Sequence, residues 1–234
     1  MPYTPGLSSE LVKFSWEQIS PTPPADSETR PLSAACAELD ALDLLASYAP
    51  GNPVGSNGNV SVRANADGAM IVTATQLPSK QGLRPDDFVL LERYEFDETD
   101  EMVSRAYYSG SKLPSSESIL HWHFYRKHPH VKAIVHVHEN TDLLYSPTSP
   151  AAWKALRVIE TTRYGDAGTL DLPHSVEEVI QDLGQYVILK DHWPEWDKAH
   201  TGTVVFGESL EAAVERVVEV NEGLRRASKL FDSP

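Results

Sequence analysis

Two histidines separated by one residue close an apolar run in the middle of the chain. His136 and His138 end the stretch VKAIVHVH, in which Val135 and Val137 alternate with them. In a β-strand, both imidazoles would project from one face and lie close enough to share a cation. Neutral imidazole is a common ligand of zinc and its neighbours. A solvated histidine pair is the alternative, but polarity that arrives only at the strand exit favours a site.

A carboxylate near this pair would supply acid/base chemistry. Glu117 lies in the first turn of a predicted helix, SSESILHWHFYRKH, for which Ser115 or Ser116 is the expected N-cap. His121 and Tyr125 follow Glu117 on the same helical stripe. Beside a metal, a carboxylate can donate or accept a proton or be displaced by substrate. The simpler interpretation is an acidic residue that stabilises the helix macrodipole.

A third ligand would have to come from a later segment, QYVILKDHWPEWDKAHTGTVVFG. This segment places His192 at the exit of one predicted strand and His200 at the start of the next. In a hairpin, both could approach the same point. Each is also compatible with a histidine in a surface loop, so these residues alone leave the choice open.

A glycine-rich segment, GSNGNVSVR, is the other dense polar motif. Its glycines permit positive φ, and its backbone N–H groups, together with Ser56, Asn59 and Ser61, could cradle an anion. A tight turn before a strand explains the pattern equally well.

The composition narrows the classes of partner. The 234 residues include 34 acidic and 20 basic side chains, for a net charge of −14. This balance argues against nucleic acid or an anionic membrane as a partner, because both attract clustered Lys and Arg. No apolar run approaches the roughly 20 residues of a membrane span. A single cysteine, Cys36, and an N-terminal stretch unlike a secretory signal predict a cytoplasmic protein.

The remaining pattern predicts one α/β domain behind an extended N-terminal arm. Pro, Ser and Thr dominate residues 1–33, and helical spacing begins at Leu32 and continues to Tyr48. Several β-like runs follow, with a hairpin turn at Asp67-Gly68, and a last helix spans about Ser209 to Leu230. The strands are too many for parallel crossovers, which predicts a largely antiparallel sheet flanked by helices.

Taken together, these motifs resemble the class II aldolase/adducin family. The matching segments occur in the family's order: GNVSVR at 58–63, VTATQLP at 72–78, KLPSSES at 112–118, AIVHVH at 133–138, AGT at 167–169 and GTVVFGESLEAA at 202–213. The resemblance implies a three-layer α/β/α sandwich with a central, largely antiparallel sheet, which would occupy residues 34–234. It also implies a homo-oligomer, often a tetramer.

The resemblance further implies roles for individual residues. A divalent cation, usually Zn²⁺, would be bound by His136, His138 and a later histidine. His200 is preferred over His192 because Gly202 then keeps its place before the last motif. Glu117 would be the catalytic acid/base. The positions that would bind the substrate's phosphate or an equivalent polar end are Asn59, Thr75, Ser115 and Ser116.

The implied activity is that of a metal-dependent lyase, which cleaves or forms a carbon–carbon bond through a metal-stabilised enediolate on a small hydroxy-carbonyl substrate. Gln76 stands where the family usually has glycine, and the segment after His138 is shorter than in the sugar-phosphate aldolases. These departures predict a substrate other than a standard sugar phosphate. The alternatives are an epimerase, dehydratase or decarboxylase on the same scaffold, a metal-dependent hydrolase, or a non-catalytic module like the adducin heads.

Overall fold

A computed structural model describes residues 12–49, 52, 54–97, 100, 103–193 and 197–231. The strands are β1 (Ser15–Ser20), β2 (Asn59–Arg63), β3 (Met70–Thr73), β4 (Phe88–Phe96), β5 (Ser104–Ser109), β6 (Ala133–Asn140), β7 (Val158–Glu160), β8 (Tyr186–Ile188) and β9 (His200–Gly207). The helices are α1 (Asp26–Ala41), α2 (Ser118–Lys127), α3 (Thr141–Leu144), α4 (Ser149–Ala155), α5 (Asp171–Glu177) and α6 (Leu210–Phe231). Every helix in the described ranges is too short or too polar to cross a bilayer.

The nine strands form one sheet in the order β1-β5-β4-β3-β2-β6-β9-β8-β7. The outermost pairs, β1 with β5 and β7 with β8, are parallel, and the pairs between them are antiparallel. The prediction of a largely antiparallel sheet is therefore confirmed. The predicted hairpin at Asp67-Gly68 is also confirmed, because β2 and β3 pair directly across that turn.

Helices cover both faces of the sheet and give the predicted three layers. Alternating side chains of one strand enter different cores: Ile134 packs with residues of α2 and α5, whereas Val135 packs with residues of α1, α4 and α6. Since side chains on a strand alternate between faces, His136 and His138 share the face of Ile134, on which α2 lies. The strand parity thus directs both histidines towards the helix that follows Glu117.

The N-terminal region differs from the predicted arm over residues 1–33. Residues Ser15–Ser20 form an edge strand that pairs with β5, and α1 begins at Asp26 rather than Leu32 and ends at Ala41. Pro31 lies inside this helix, although proline removes a helical hydrogen bond. Burial of apolar side chains along α1 outweighs that local cost. Residues 1–11 of the predicted arm lie outside the described residues.

The start of α2 also differs from the prediction. Glu117 is the N-cap residue and the helix begins at Ser118, so neither Ser115 nor Ser116 caps it. Ser115 instead organises the preceding turn, since its carbonyl accepts from the Ser118 N–H at 3.1 Å and from Ser118 Oγ at 2.7 Å. The displaced start leaves the Glu117 side chain beside the sheet rather than along the helix.

Candidate metal and substrate site

The paired histidines of β6 lie side by side as predicted. The ring centroids of His136 and His138 are 5.0 Å apart, and both residues are buried. The β6 residues before and between them are apolar, and polar residues, Glu139 and Asn140, follow His138 at the end of the strand. This geometry makes the pair available to a single cation.

His192 is the third histidine at this point. Its ring centroid lies 5.2 Å from that of His136 and 5.6 Å from that of His138, and one nitrogen of each ring lies within 4.8 Å of the others. Gly202 makes room for it, because a Cβ there would lie 2.3 Å from His192 Cδ2 and 3.1 Å from His136 Cε1. A side chain at position 202 would therefore displace the His192 ring.

The preference for His200 over His192 is corrected by the structure. His200 pairs with Asn140 on β6, two residues beyond His138, which is roughly 7 Å along a strand. Its Nδ1 lies 3.1 Å from Asp197 Oδ1 and Oδ2, and Tyr48 OH donates to Asp197 Oδ2 at 2.8 Å. His200 thus belongs to a separate polar network at the end of the strand.

The backbone around His192 explains why it reaches the cluster. The chain turns back immediately after β8, because the Leu189 N–H donates to the Gly202 carbonyl at 2.9 Å and the Gly202 N–H donates to the His192 carbonyl at 2.9 Å. These bonds hold His192 directly against Gly202. The sequence separation of the two histidines gives no indication of this turn.

The hydrogen bond to Thr203 fixes the tautomer of His136. The Thr203 carbonyl can only accept, so His136 Nδ1 donates to it at 2.8 Å, and Nε2 carries a lone pair whenever the ring is neutral. Burial alone would lower the pKa of His136, but the Glu117 carboxylate raises it above its ordinary value. That Nε2 is buried without a hydrogen-bond partner among the described residues, although Glu117 Oε2 lies 3.0 Å away. Two lone-pair atoms this close repel each other unless a proton or a cation lies beside them. The imidazole nitrogens and the carboxylate oxygen therefore fit the ligand set of a metal ion.

Glu117 joins the histidines through both carboxylate oxygens. Oε2 lies 3.0 Å from His136 Nε2 and accepts from Asn59 Nδ2 at 3.1 Å, while Oε1 lies 2.8 Å from His192 Nε2. Burial alone would raise the pKa of Glu117, but the positive charge that His136 and His192 can carry holds that pKa well below its usual range. The carboxylate is therefore ionised, which is the proton-accepting form.

The other buried histidines near the cluster are neutral. Burial lowers the pKa of His138 well below its ordinary value, and the neighbouring imidazoles lower it further. Burial likewise lowers the pKa of His121 to about 3. His121 Nδ1 lies 2.7 Å from Ser61 Oγ, which is 2.8 Å from Tyr125 OH. This buried network contains both residues of the stripe predicted to follow Glu117, His121 and Tyr125.

A cavity of about 250 Å³ opens onto this cluster. The residues predicted to bind the polar end of a substrate all line it: Asn59, Thr75, Ser115 and Ser116. Gln76 lines it too and has a φ of 56°, which is the left-handed region that favours glycine. This conformation accounts for the glycine usual at that position in the family and places a longer side chain at the cavity wall.

Lys80 is a cavity residue that the sequence analysis missed. It lines the cavity although it is only 2% exposed, and burial lowers its pKa to about 8. Lys80 lies in a polar loop between β3 and β4, where most lysines are solvated. Its spacing from the glycine-rich segment carries no pattern that marks it, so the folded structure was needed to find it.

A second group of potential ligands lies where α2 packs on α5. One ligand atom each of His123, His174 and Glu177 lies within 4.8 Å of the others. His123 Nε2 is 3.1 Å from Glu177 Oε1, but Lys127 Nζ donates to both carboxylate oxygens of Glu177, at 2.8 and 2.9 Å. Lys127 is half exposed, and its ammonium already neutralises this carboxylate.

Comparisons with known proteins support the family resemblance. A family model described as the class II aldolase and adducin N-terminal domain matches residues 44–227. The 5-methylthioribulose-1-phosphate/5-deoxyribulose-1-phosphate aldolase of Rhodospirillum rubrum is 28% identical over an alignment of 176 residues that covers 72% of this chain and 69% of that protein.

Solved structures of aldolases share the fold. An L-fuculose 1-phosphate aldolase superposes with a TM-score of 0.58 at 20% identity and covers 91% of each chain. A sugar-phosphate aldolase from Thermotoga maritima superposes with a TM-score of 0.60 at 20% identity, over 89% of this chain and 97% of that one. At these identities the likeness establishes the architecture and not the substrate.

Proposed function

Because the chain belongs to the class II aldolase and adducin N-terminal domain family, we propose that it is a metal-dependent lyase. It would form or cleave a carbon–carbon bond in a small hydroxy-carbonyl substrate. The observation that carries this proposal is the arrangement of three imidazoles around one ionised carboxylate at the end of an open cavity. An interaction module has no use for such an arrangement.

The imidazoles of His136, His138 and His192 would hold the divalent cation, for which Zn²⁺ is the first choice with nitrogen ligands. When bound, the cation supplies positive charge that stabilises the negative charge developing on the substrate oxygens. The Thr203 carbonyl orients the His136 ring from behind, which is the usual role of a group hydrogen-bonded to a metal-binding histidine.

Glu117 would move the proton. In the synthetic direction its carboxylate accepts the proton from the carbon next to the donor carbonyl, and the bond electrons remain on the donor. In the cleavage direction the proton returns to that carbon. Asn59 Nδ2 donates to one oxygen of this carboxylate, Oε2. Within the described residues, the second oxygen, Oε1, contacts the His192 ring.

Hydroxyl groups on the cavity wall would bind the polar end of the substrate. Thr75, Ser115 and Ser116 line that wall, and Gln76 occupies part of it. The Gln76 side chain supports the proposal that the substrate is not a standard sugar phosphate. The Rhodospirillum rubrum relative, by its name an aldolase of two ribulose phosphates, supports aldol chemistry as the reaction type.

Deuterium exchange tests this proposal without knowledge of the natural substrate. The purified protein, loaded with zinc, is incubated with dihydroxyacetone in heavy water, and loss of the carbon-bound proton signal is followed by NMR. We expect exchange that stops on chelation and returns with zinc. Exchange that does not depend on the metal would contradict a metal-dependent lyase. A protein that binds no metal and catalyses no exchange would favour an adducin-like module.

We also propose that the protein is a cytoplasmic homo-oligomer, a tetramer by the family resemblance, with a small molecule rather than nucleic acid or a membrane as its partner. Large apolar side chains on the surface support self-association: Ile19 is 48% and Val103 53% exposed. Light scattering at micromolar concentration should give about four times the 25.9 kDa chain mass. A monomer mass would overturn the assembly.

A further inference from the structure

Lys80 is the charged cavity residue that the proposed proton transfer does not use. Its Nζ donates to Ser56 Oγ at 2.9 Å, and Ser56 Oγ donates in turn to the Leu77 carbonyl at 2.7 Å. Within the described ranges, no carboxylate oxygen lies within the 4.0 Å that defines an ion pair for this ammonium. The ammonium is therefore buried, and the group that accepts its hydrogen bond is the neutral hydroxyl of Ser56.

Other lysines of the chain show how unusual this is. Lys13, at the rim of the same cavity, pairs with Asp166, and Lys112 pairs with Asp87. Both are partly exposed, so water also solvates their charge. A buried ammonium without a counter-charge is unfavourable, and proteins retain such groups mainly where a ligand uses them.

Two tight loops hold Lys80 in this position. Gly55 has a φ of +80°, and a Cβ there would lie only 2.4 Å from the Leu77 carbonyl oxygen. This close approach presses the glycine-rich loop onto the loop after β3 and brings Ser56 to Lys80. The backbone thus fixes the position of Ser56 Oγ, the hydrogen-bond partner of the Lys80 ammonium, and both residues line the cavity.

An oxyanion is the ligand that this ammonium lacks. The carboxyl group of Glu117 lies in the same cavity, so a negatively charged substrate group binds best beside positive charge at a distance from that carboxyl group. The cavity wall adds neutral hydroxyl donors at Thr75 and Ser116. An ammonium with hydroxyl donors around it matches a carboxylate or a phosphate group.

We propose that Lys80 is a specificity-determining residue that binds an oxyanion of the substrate, either a carboxylate or a phosphate. The inference rests on the proposed function for the identity of the reacting end of the substrate. It adds that the substrate is an anion, and that a neutral hydroxy-carbonyl compound binds more weakly because it leaves the ammonium unpaired.

Binding of simple anions tests this directly. Inorganic phosphate and acetate are titrated into zinc-loaded wild-type protein and the Lys80→Gln and Lys80→Met variants by isothermal calorimetry. Lys80→Gln keeps the length and hydrogen bonding of the side chain and removes its charge. We expect the affinity for at least one anion to fall about 10- to 100-fold in both variants. The probe with the larger loss identifies the substrate group.

Lys13→Met is the matched control, because it removes a lysine of the same cavity that already has a carboxylate partner. We expect its anion affinity to change less than about twofold, as befits an exposed pair. An equal loss in Lys13→Met would show that only the general field matters and would overturn the role of Lys80. Thermal unfolding of each variant verifies that it is folded.

Failure of this inference is distinguishable from failure of the proposed function. Unchanged anion binding in both Lys80 variants, with chelation-sensitive deuterium exchange in the wild type, would reject Lys80 and retain the lyase. Lys80-dependent anion binding in a protein that neither retains zinc nor exchanges deuterium would retain the anion site and reject the lyase.

Discussion

The molecule contains two groups of histidine and glutamate with similar composition and different surroundings. In the site formed by His136, His138 and His192, the carboxylate of Glu117 faces imidazole nitrogens at the end of a cavity. In the group formed by His123, His174 and Glu177, the carboxylate is already paired with Lys127 between two helices. The ligand types alone therefore do not distinguish the two groups.

What distinguishes them is how the ligands are held. The first group projects from one strand and a tight turn, with a backbone carbonyl behind His136 and a glycine that makes room for His192. The second projects from helices near solvent, and a cation would have to displace an ammonium from both carboxylate oxygens. Prearranged ligands without a competing charge are what a metal site requires.

Removal of one histidine from each group should change the metal affinity of the protein by very different amounts. His136→Ala or His138→Ala should lower metal affinity by more than about 100-fold, beyond the usual cost of losing a group that merely supports a ligand. His123→Ala is the matched variant and should retain the metal. Metal content measured by plasma mass spectrometry checks this. Equal metal content in His136→Ala and wild type would break the comparison.

Neutralising the carboxylates of Glu117 and Glu177 provides a second comparison of the two groups. Glu117→Gln should keep the fold and lower deuterium exchange by about 10²- to 10⁴-fold, because the proton acceptor is lost. Glu177→Gln removes the corresponding charge from the second group and should leave the exchange rate within about twofold of wild type. A comparable loss in both variants, measured by NMR at equal zinc content, would contradict the role of Glu117.

We expect the buried ammonium of Lys80 to lower the free energy of unfolding. Lys127 should not have this effect, because it is half exposed and paired with Glu177. Burial lowers the pKa of Lys80 from 10.5 to about 8, so the unfolded chain binds more protons between these values and stability increases as pH rises through them. Lys80→Met should therefore raise the free energy of unfolding at pH 7 by up to about 3 kcal/mol. The gain should shrink above pH 8.

Urea unfolding at pH 7 and pH 10 measures this difference. Lys127→Met is the control and should change the free energy of unfolding by less than about 1 kcal/mol, as expected for an exposed ion pair. A Lys80→Met variant that is less stable than wild type at pH 7 would show that the ammonium is not an uncompensated charge.

The smallest effect is expected at His200. His200→Asn removes the contact with Asp197 and should lower the free energy of unfolding by about 1 kcal/mol without loss of zinc. Chemical denaturation together with metal analysis measures both quantities. Loss of zinc in this variant would place His200 among the ligands.

The sequence predicted those parts of the site that follow from local periodicity. Strand alternation gives one face to His136 and His138, and a helix follows SSES as predicted, although it begins at Ser118 and Glu117 is its N-cap. The sheet and its hairpins follow in the same way from alternating apolar runs and turn residues. These features depend on a few neighbouring residues, which is why the pattern was sufficient.

The rest depends on contacts between distant segments. His192 rather than His200 joins the cluster because the turn after β8 closes on Gly202, and neither histidine's spacing reveals that turn. Lys80 is buried because Gly55 lets two loops approach. The edge strand Ser15–Ser20 is set by pairing with β5, although the Pro-, Ser- and Thr-rich composition of the surrounding region predicted an extended arm. Tertiary packing decided each of these.

The metal content of two histidine variants tests the central claim most directly. Zinc per chain is measured in wild type, His192→Ala and His200→Ala after identical purification and dialysis. We expect about one equivalent in wild type and His200→Ala and much less than half in His192→Ala. Full occupancy in His192→Ala together with loss of zinc in His200→Ala would contradict the assignment of the three ligands.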